Sequence, residues 1–146
     1  VQNQLKIIIK DKYVNFEVAK LLRDKGFDEE CVKLYNISNG LVFEGDEVHN
    51  SELTEFSELI TRPTQAMACD WIEEEYGIFI QINRDNQYYE GREVIAVTKE
   101  DIERGHMTMY YASVFDKYSV SNTTEHYDSI ESAYNEALKY VLTNLI

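Results

Sequence analysis

Asp70, Glu73 and Glu74 stand three and four residues apart in a stretch whose apolar residues recur with a helical period. That spacing puts the carboxylates on one helical face, where they can bridge a cation, meet a basic protein surface or simply stay hydrated. A second acidic group, Asp46, Glu47 and Glu52, is joined by His49 and offers hard ligands on a polar segment. No His-x-x-x-His pair accompanies it, and Asp85–Glu90 lacks the spacing and glycine of a calcium loop. No metal and no other cofactor is therefore expected. Nucleophilic catalysis has little to stand on: there is no Gly-x-Ser-x-Gly elbow, and Cys69 falls in mid-helix beside an apolar stripe. Neither phosphate-cradling glycine motif occurs.

The acids are unevenly distributed. The 146 residues carry 27 acidic and 14 basic side chains, a net charge of −13. Residues 1–30 balance, whereas residues 44–75 hold ten acids against Arg62 alone. Such a surface repels phosphates, which argues against direct nucleic-acid binding and against anionic membranes. Carboxylates spaced like phosphates along a surface would instead mimic DNA. Cys31 and Cys69 form no Cys-x-x-Cys pair and read as free thiols of a reducing compartment. No apolar run reaches the roughly 20 residues of a membrane span, and an intracellular location is the default expectation.

Eleven tyrosines stand out, among them the pairs Tyr88-Tyr89 and Tyr110-Tyr111 in strand-like runs. Alternation sends one ring of each pair to either face of a sheet. The outward rings, assigned to Tyr88 and Tyr110, would anchor a partner, since tyrosine couples contact area with a polar tip.

These side chains need elements to hold them. Leu5–Ile9 reads as a strand. Asn15 is a plausible N-cap for a helix from Phe16 to about Lys25, closed by Gly26. Cys31–Ile37 and Leu41–Glu44 flank an Asn-Gly pair and predict a hairpin. Gly45–Leu59 reads as an irregular acidic loop or one short helix. A second helix starts near Thr61–Thr64, with Pro63 in its first turn, and ends at Gly77, where the apolar period switches from 3.6 to 2. Ile78, Ile80 and Ile82 then face one side of a strand, a turn follows at Arg84–Gln87, and Lys99–Gly105 is a charged loop. Strands are expected over Tyr88–Thr98 and Met107–Phe115, with Tyr118–Asn122 extending or following the latter. A closing helix follows Asp128 and Glu131, whose spacing is that of a capping box. The order β-α-β-β-α-β-β-β-α implies an α+β fold with an antiparallel or mixed sheet and about three helices. One domain of residues 1–146 is expected, in which lobes 1–60 and 61–146 could share a core.

Three segments carry a family resemblance: Asn15-Phe-Glu-Val-Ala-Lys-Leu-Leu-x-x-Lys-Gly-Phe27, Thr64-Gln-Ala-x-Ala-x-x-Trp-Ile-x-x-x-x-Gly-Ile78, and Tyr127-Asp-Ser-x-Glu-Ser-Ala-Tyr-x-x-Ala-Leu138. Together they resemble small uncharacterised proteins of gut Bacteroidetes and their phages. The resemblance implies a cytoplasmic protein of a bacterial cell or mobile element and brings no catalytic residues with it. The leading expectation is a non-enzymatic acidic binding protein that engages a basic surface of a host protein. Its contacts would be Asp70, Glu73, Glu74, the 44–58 loop and outward tyrosines, Tyr88 and Tyr110. The alternatives are a small-molecule or nucleotide binder with a pocket lined by tyrosine and Trp71, and a metal-dependent hydrolase built on the loop carboxylates and His49.

Overall fold

The computed structural model describes residues 12–53, 58–85, 87–90, 93–96, 109–116 and 120–146. The strand expected at Leu5–Ile9 and the loop at Lys99–Gly105 lie outside the described residues. Within them the fold is α+β: α1 (Phe16–Asp24), β1 (Cys31–Asn36), β2 (Val42–Val48), β3 (Leu59–Thr61), α2 (Gln65–Tyr76), β4 (Phe79–Asp85), β5 (Gln87–Glu90), β6 (Glu93–Ala96), β7 (Met109–Phe115), β8 (Val120–Thr123) and α3 (Ile130–Tyr140), which widens into a π-helical turn over Val141–Leu145. The strands pair as β2-β1-β3, β4-β7-β8 and a β5-β6 hairpin, all antiparallel. Among the described residues no helix is long and apolar enough to cross a membrane.

Capping chemistry sets the helix ends. The Asn15 side chain accepts from the Val18 N–H at 2.9 Å. At the other end of α1, Gly26 adopts φ +93°, and the Gly26 and Phe27 N–H groups donate to Arg23 and Leu22 carbonyls. That is the reciprocal left-handed cap in which the residue after glycine packs back on the helix; Phe27 is buried. Thr64, rather than a residue nearer Thr61, caps α2 by accepting from Met67, so Pro63 lies before the helix instead of in its first turn. The shift follows from Leu59–Thr61, which is spent as β3 against β1. Ser129, not Asp128, caps α3.

The hairpin forms, but its turn differs from the two-residue type. Gly40 alone takes positive φ, while Asn36 and Asn39 each use a side-chain oxygen to accept a backbone N–H two residues on. β2 runs on to Val48, claiming residues expected in a loop, and a bulge separates the pairs Cys31–Val48 and Lys33–Glu44. After it, Asn50–Glu52 form a 3-10 turn that is stitched down on both sides. Asn50 donates to the Phe27 carbonyl at 2.8 Å and accepts from the Thr61 N–H at 3.0 Å; Ser51 N–H donates to Asp28 at 2.7 Å. The turn expected at Arg84–Gln87 is also partly strand, because β4 stays in register with β7 to Asp85–Met109.

One hydrophobic cluster joins both halves of the chain. Val14, Val18, Leu22 and Ile60 meet Ala68, Trp71 and Ile72 of α2, Ile80, Ala112 and Val114 of the second sheet, and Leu138 and Leu142 at the end. Each large side chain so buried contributes roughly 1.5–3 kcal/mol. Two buried amides cross this core where the helices begin. Asn135 accepts from the Asn15 N–H at 3.0 Å, and Gln65 donates to the Glu131 carbonyl at 3.0 Å. They tie α3 to α1 and to α2.

Replacing Asn135 with Ala leaves the Asn15 N–H without its partner and is expected to cost about 1–3 kcal/mol in denaturant unfolding. An unchanged midpoint would show that the tie carries no stability.

Candidate functional site

Gly77, at φ +67°, ends α2 and turns the chain directly into β4. The reversal leaves a groove of about 620 Å³ between α2, β4 and the start of α3. Ala66, Cys69, Asp70 and Glu73 line it from α2; Phe79, Ile80, Gln81 and Ile82 from β4; Ile130 and Tyr134 from α3; Lys12 closes one end. Its surface is mainly apolar, and Phe79 and Ile130 are each 48 % exposed on it. Lys12 sits 3.9 Å from Glu131, so the one described basic residue in the lining already has an acidic neighbour.

The groups that line the groove do not suit covalent chemistry. Burial, reinforced by Asp70 and Glu73, pushes the Cys69 thiol up to about 12. Burial likewise raises Cys31 to about 11 and, with Cys69 alongside, raises Tyr134. A nucleophilic cysteine needs the opposite environment. No described histidine lines the groove. His49 lies instead beside the Asn50–Glu52 turn, whose ties to Phe27, Asp28 and Thr61 form a clasp; its Nδ1 is 2.6 Å from the Asp28 carbonyl oxygen, a bond that favours the protonated ring. Its other nitrogen lies 3.7 Å from Glu52. Among the described residues no three His, Cys, Asp or Glu side chains are placed to hold a metal ion.

The expected contact residues divide. Asp70 and Glu73 form the helical rim of the groove. Glu74 points to the next notch, about 200 Å³, shared with Glu29, Met67, Asp70 and Trp71. Asp70, Glu73, Glu74 and Glu75 are all exposed, and none has an ion pair among the described residues. Two described acids of the 44–58 segment have basic neighbours: Glu44 binds Lys33 at 2.8 Å and Glu52 faces His49. Asp46 and Glu47 stay exposed on β2. Tyr110 is half-buried, shares the strand face of buried Ala112 and Val114, and exchanges two 2.7 Å backbone hydrogen bonds with Tyr127. It does not line the groove. Tyr88 belongs to β5, and its side chain lies outside the described residues. Trp71 is a core residue, edge-on to Phe27 and Tyr76 with centroids 5.5 Å away in each case, and it does not line the groove.

The sequence did not point to Phe79 or Ile130 as site residues. Phe79 was recognisable as the odd member of the Ile78/Ile80/Ile82 alternation. Ile130 reads as the first residue of the α3 stripe, yet it falls at the exposed helix start. Comparison with protein-family models, with curated proteins and with solved structures found no match to this chain.

Two measurements follow from the environments above. Alkylation of both thiols in the folded protein should be slow at neutral pH and accelerate only as pH approaches the raised values; fast modification at pH 7 would contradict the burial argument. His49 should titrate above its ordinary 6.5 in an NMR pH series. Because its folded pKa is raised, any stability it adds is present at low pH and is lost as pH rises through the folded value. A titration at or below 6.5 would remove the Asp28 bond as its cause.

Proposed function

We propose that this chain is a binding protein, without a catalytic role, whose acidic α2 face engages a basic surface of a partner protein. One observation carries the reading: Asp70, Glu73, Glu74 and Glu75 project from a single helix, exposed and without an ion pair among the described residues. The helix has no basic residue of its own. Glu73–Glu75 occupy its last turn, where the negative end of the helix dipole disfavours acids by about 0.3–1 kcal/mol each. Like charges at i, i+3 and i+4 add a few tenths of a kcal/mol more. Local stability does not favour this pattern, and such conflicts concentrate at functional surfaces. A cationic partner relieves both costs. The sequence resemblance adds the setting: the cytoplasm of a bacterial host, with a host factor or defence component as the partner of a phage or mobile-element protein.

The small-molecule alternative draws on the groove, whose volume falls within the range of ligand sites. Tyr134 supplies its ring in place of the expected Trp71. Asp70 and Glu73 on the rim disfavour phosphate-bearing ligands, so a neutral or cationic metabolite fits better than a nucleotide. A thermal-shift panel separates the readings, since only this one expects stabilisation by a metabolite.

The test of the main reading has two outcomes of opposite sign. A variant carrying Asp70→Asn, Glu73→Gln and Glu74→Gln should unfold at higher denaturant, by about 0.5–2 kcal/mol. It should also lose most of a partner captured from bacterial lysate at low salt, and the wild-type complex should dissociate as salt rises. Capture that survives both the variant and high salt would sink the proposal.

A further inference from the structure

The groove takes four consecutive lining residues from one strand, Phe79, Ile80, Gln81 and Ile82. Successive strand residues point to opposite faces of a sheet. A groove touching all four therefore runs along the strand's backbone edge and not over either face. β4 is the terminal strand of the β4-β7-β8 sheet, so the edge turned away from β7 has no strand partner among the described residues. At about 3.3 Å per residue the four positions offer roughly 13 Å of edge.

Proteins normally blunt such edges with short strands, bulges or charge. The other described edges of the two larger sheets follow that rule. β2 is bulged between its Glu44 and Val48 pairs and carries Glu44, Asp46 and Glu47; β3 has three residues and β8 four. β4 has seven residues, and none is charged from Phe79 to Asn83. Among the described residues, the longest uncharged edge of the two larger sheets borders this groove.

Resting on the reading of an acidic binding protein, we propose that the groove accepts an extended segment of the partner as an added strand on β4, with lysine or arginine side chains meeting Asp70 and Glu73. Main-chain hydrogen bonds to the β4 edge give affinity in this mode of recognition, and pockets for alternate side chains give specificity. Both elements are present. Apolar side chains of the segment rest between Phe79, Ile82 and Ile130, and basic ones reach the α2 rim. Charge complementarity fixes the occupant. Lys12 is met by Glu131, which leaves the two rim carboxylates as the uncompensated charge of the groove. An acidic or neutral segment gains nothing from them.

The experiment measures binding of a short fluorescent peptide of alternating valine and lysine to the full chain by anisotropy. Three further probes accompany it: the same peptide N-methylated at alternate positions in either phase, and an alternating valine–glutamate peptide. Strand addition expects binding by the lysine peptide, a loss of at least tenfold for one N-methylated phase and not the other, and no binding by the glutamate peptide. The Asp70→Asn/Glu73→Gln variant weakens binding roughly five- to tenfold, and Phe79→Ala weakens it without altering its salt dependence. Equal affinity of both N-methylated peptides overturns strand addition while leaving the acidic-surface reading in place. A phase-specific loss with no effect of salt or of the rim variant keeps the edge but overturns the charge-selected occupant and the acidic reading with it. Lysine-peptide binding that appears only after removal of residues 1–11, the segment before Lys12 in the sequence, would assign the groove to the chain's own segment and overturn the proposal.

Discussion

A single left-handed residue sets the relation between the acidic helix and the sheet. At φ +67° Gly77 occupies backbone space that costs other L-residues roughly 1–2 kcal/mol, and it lets α2 pass into β4 with no connecting loop. The short reversal fixes which side of β4 faces the helix. β7 takes one edge over the whole of Phe79–Asp85, and the opposite edge borders the groove. Nothing fills the open space where Cβ of a larger residue would project at Gly77, so the requirement is conformational rather than steric.

The reversal would not hold a groove open unless the helices were tied elsewhere. That role falls to buried amides, which are costly in a core unless every arm is used. Gln65 is held at two points: its backbone N–H donates to the Lys12 carbonyl while its side-chain amide donates to the Glu131 carbonyl. Asn135 receives the Asn15 N–H at the start of α1. Tyr35 adds a third buried link, donating to the Val14 carbonyl at 2.6 Å. Beside it Arg62 lies over the rings of Tyr13 and Tyr35, 4.3 and 5.3 Å from their centroids. The one Lys or Arg among residues 44–75 thus packs against aromatic rings and makes no ion pair with the carboxylates of α2.

Much of this was legible from periodicity. The helix-to-strand switch at Gly77, the Asn15 cap, the hairpin and the stripe of α3 depend on neighbours a few residues apart, and each formed near its expected place. Long-range pairing was not legible. Leu59–Thr61 is too short to show a strand period, so only its register with β1 reveals β3. The clasp at Asn50–Glu52 depends on Phe27 and Asp28, more than twenty residues away, and its own residues look like any polar loop. The acidic helix face could be read directly from the spacing of Asp70, Glu73 and Glu74. Its groove could not, because that also required the edge of β4 and the exposed start of α3. Tyr110 shows the limit of alternation: it identifies two faces without saying which one the core takes, and here the core takes the face of Ala112 and Val114.

The acidic rim also bears on why an uncharged edge can be tolerated. Two copies of this chain meeting edge to edge along β4 would bring Asp70 and Glu73 of each toward those of the other. Like charges placed together in a desolvating contact cost several kcal/mol, enough to oppose the backbone hydrogen bonds such pairing would gain. With a net charge of −13 the whole molecule adds long-range repulsion to that local term. A strand bearing lysine or arginine reverses the sign of both contributions. On the proposed reading, the rim carboxylates would protect the edge from its own kind and leave it open to a cationic segment. On this argument the charge is a filter on what may pair with β4, and the backbone edge is what holds whatever passes it.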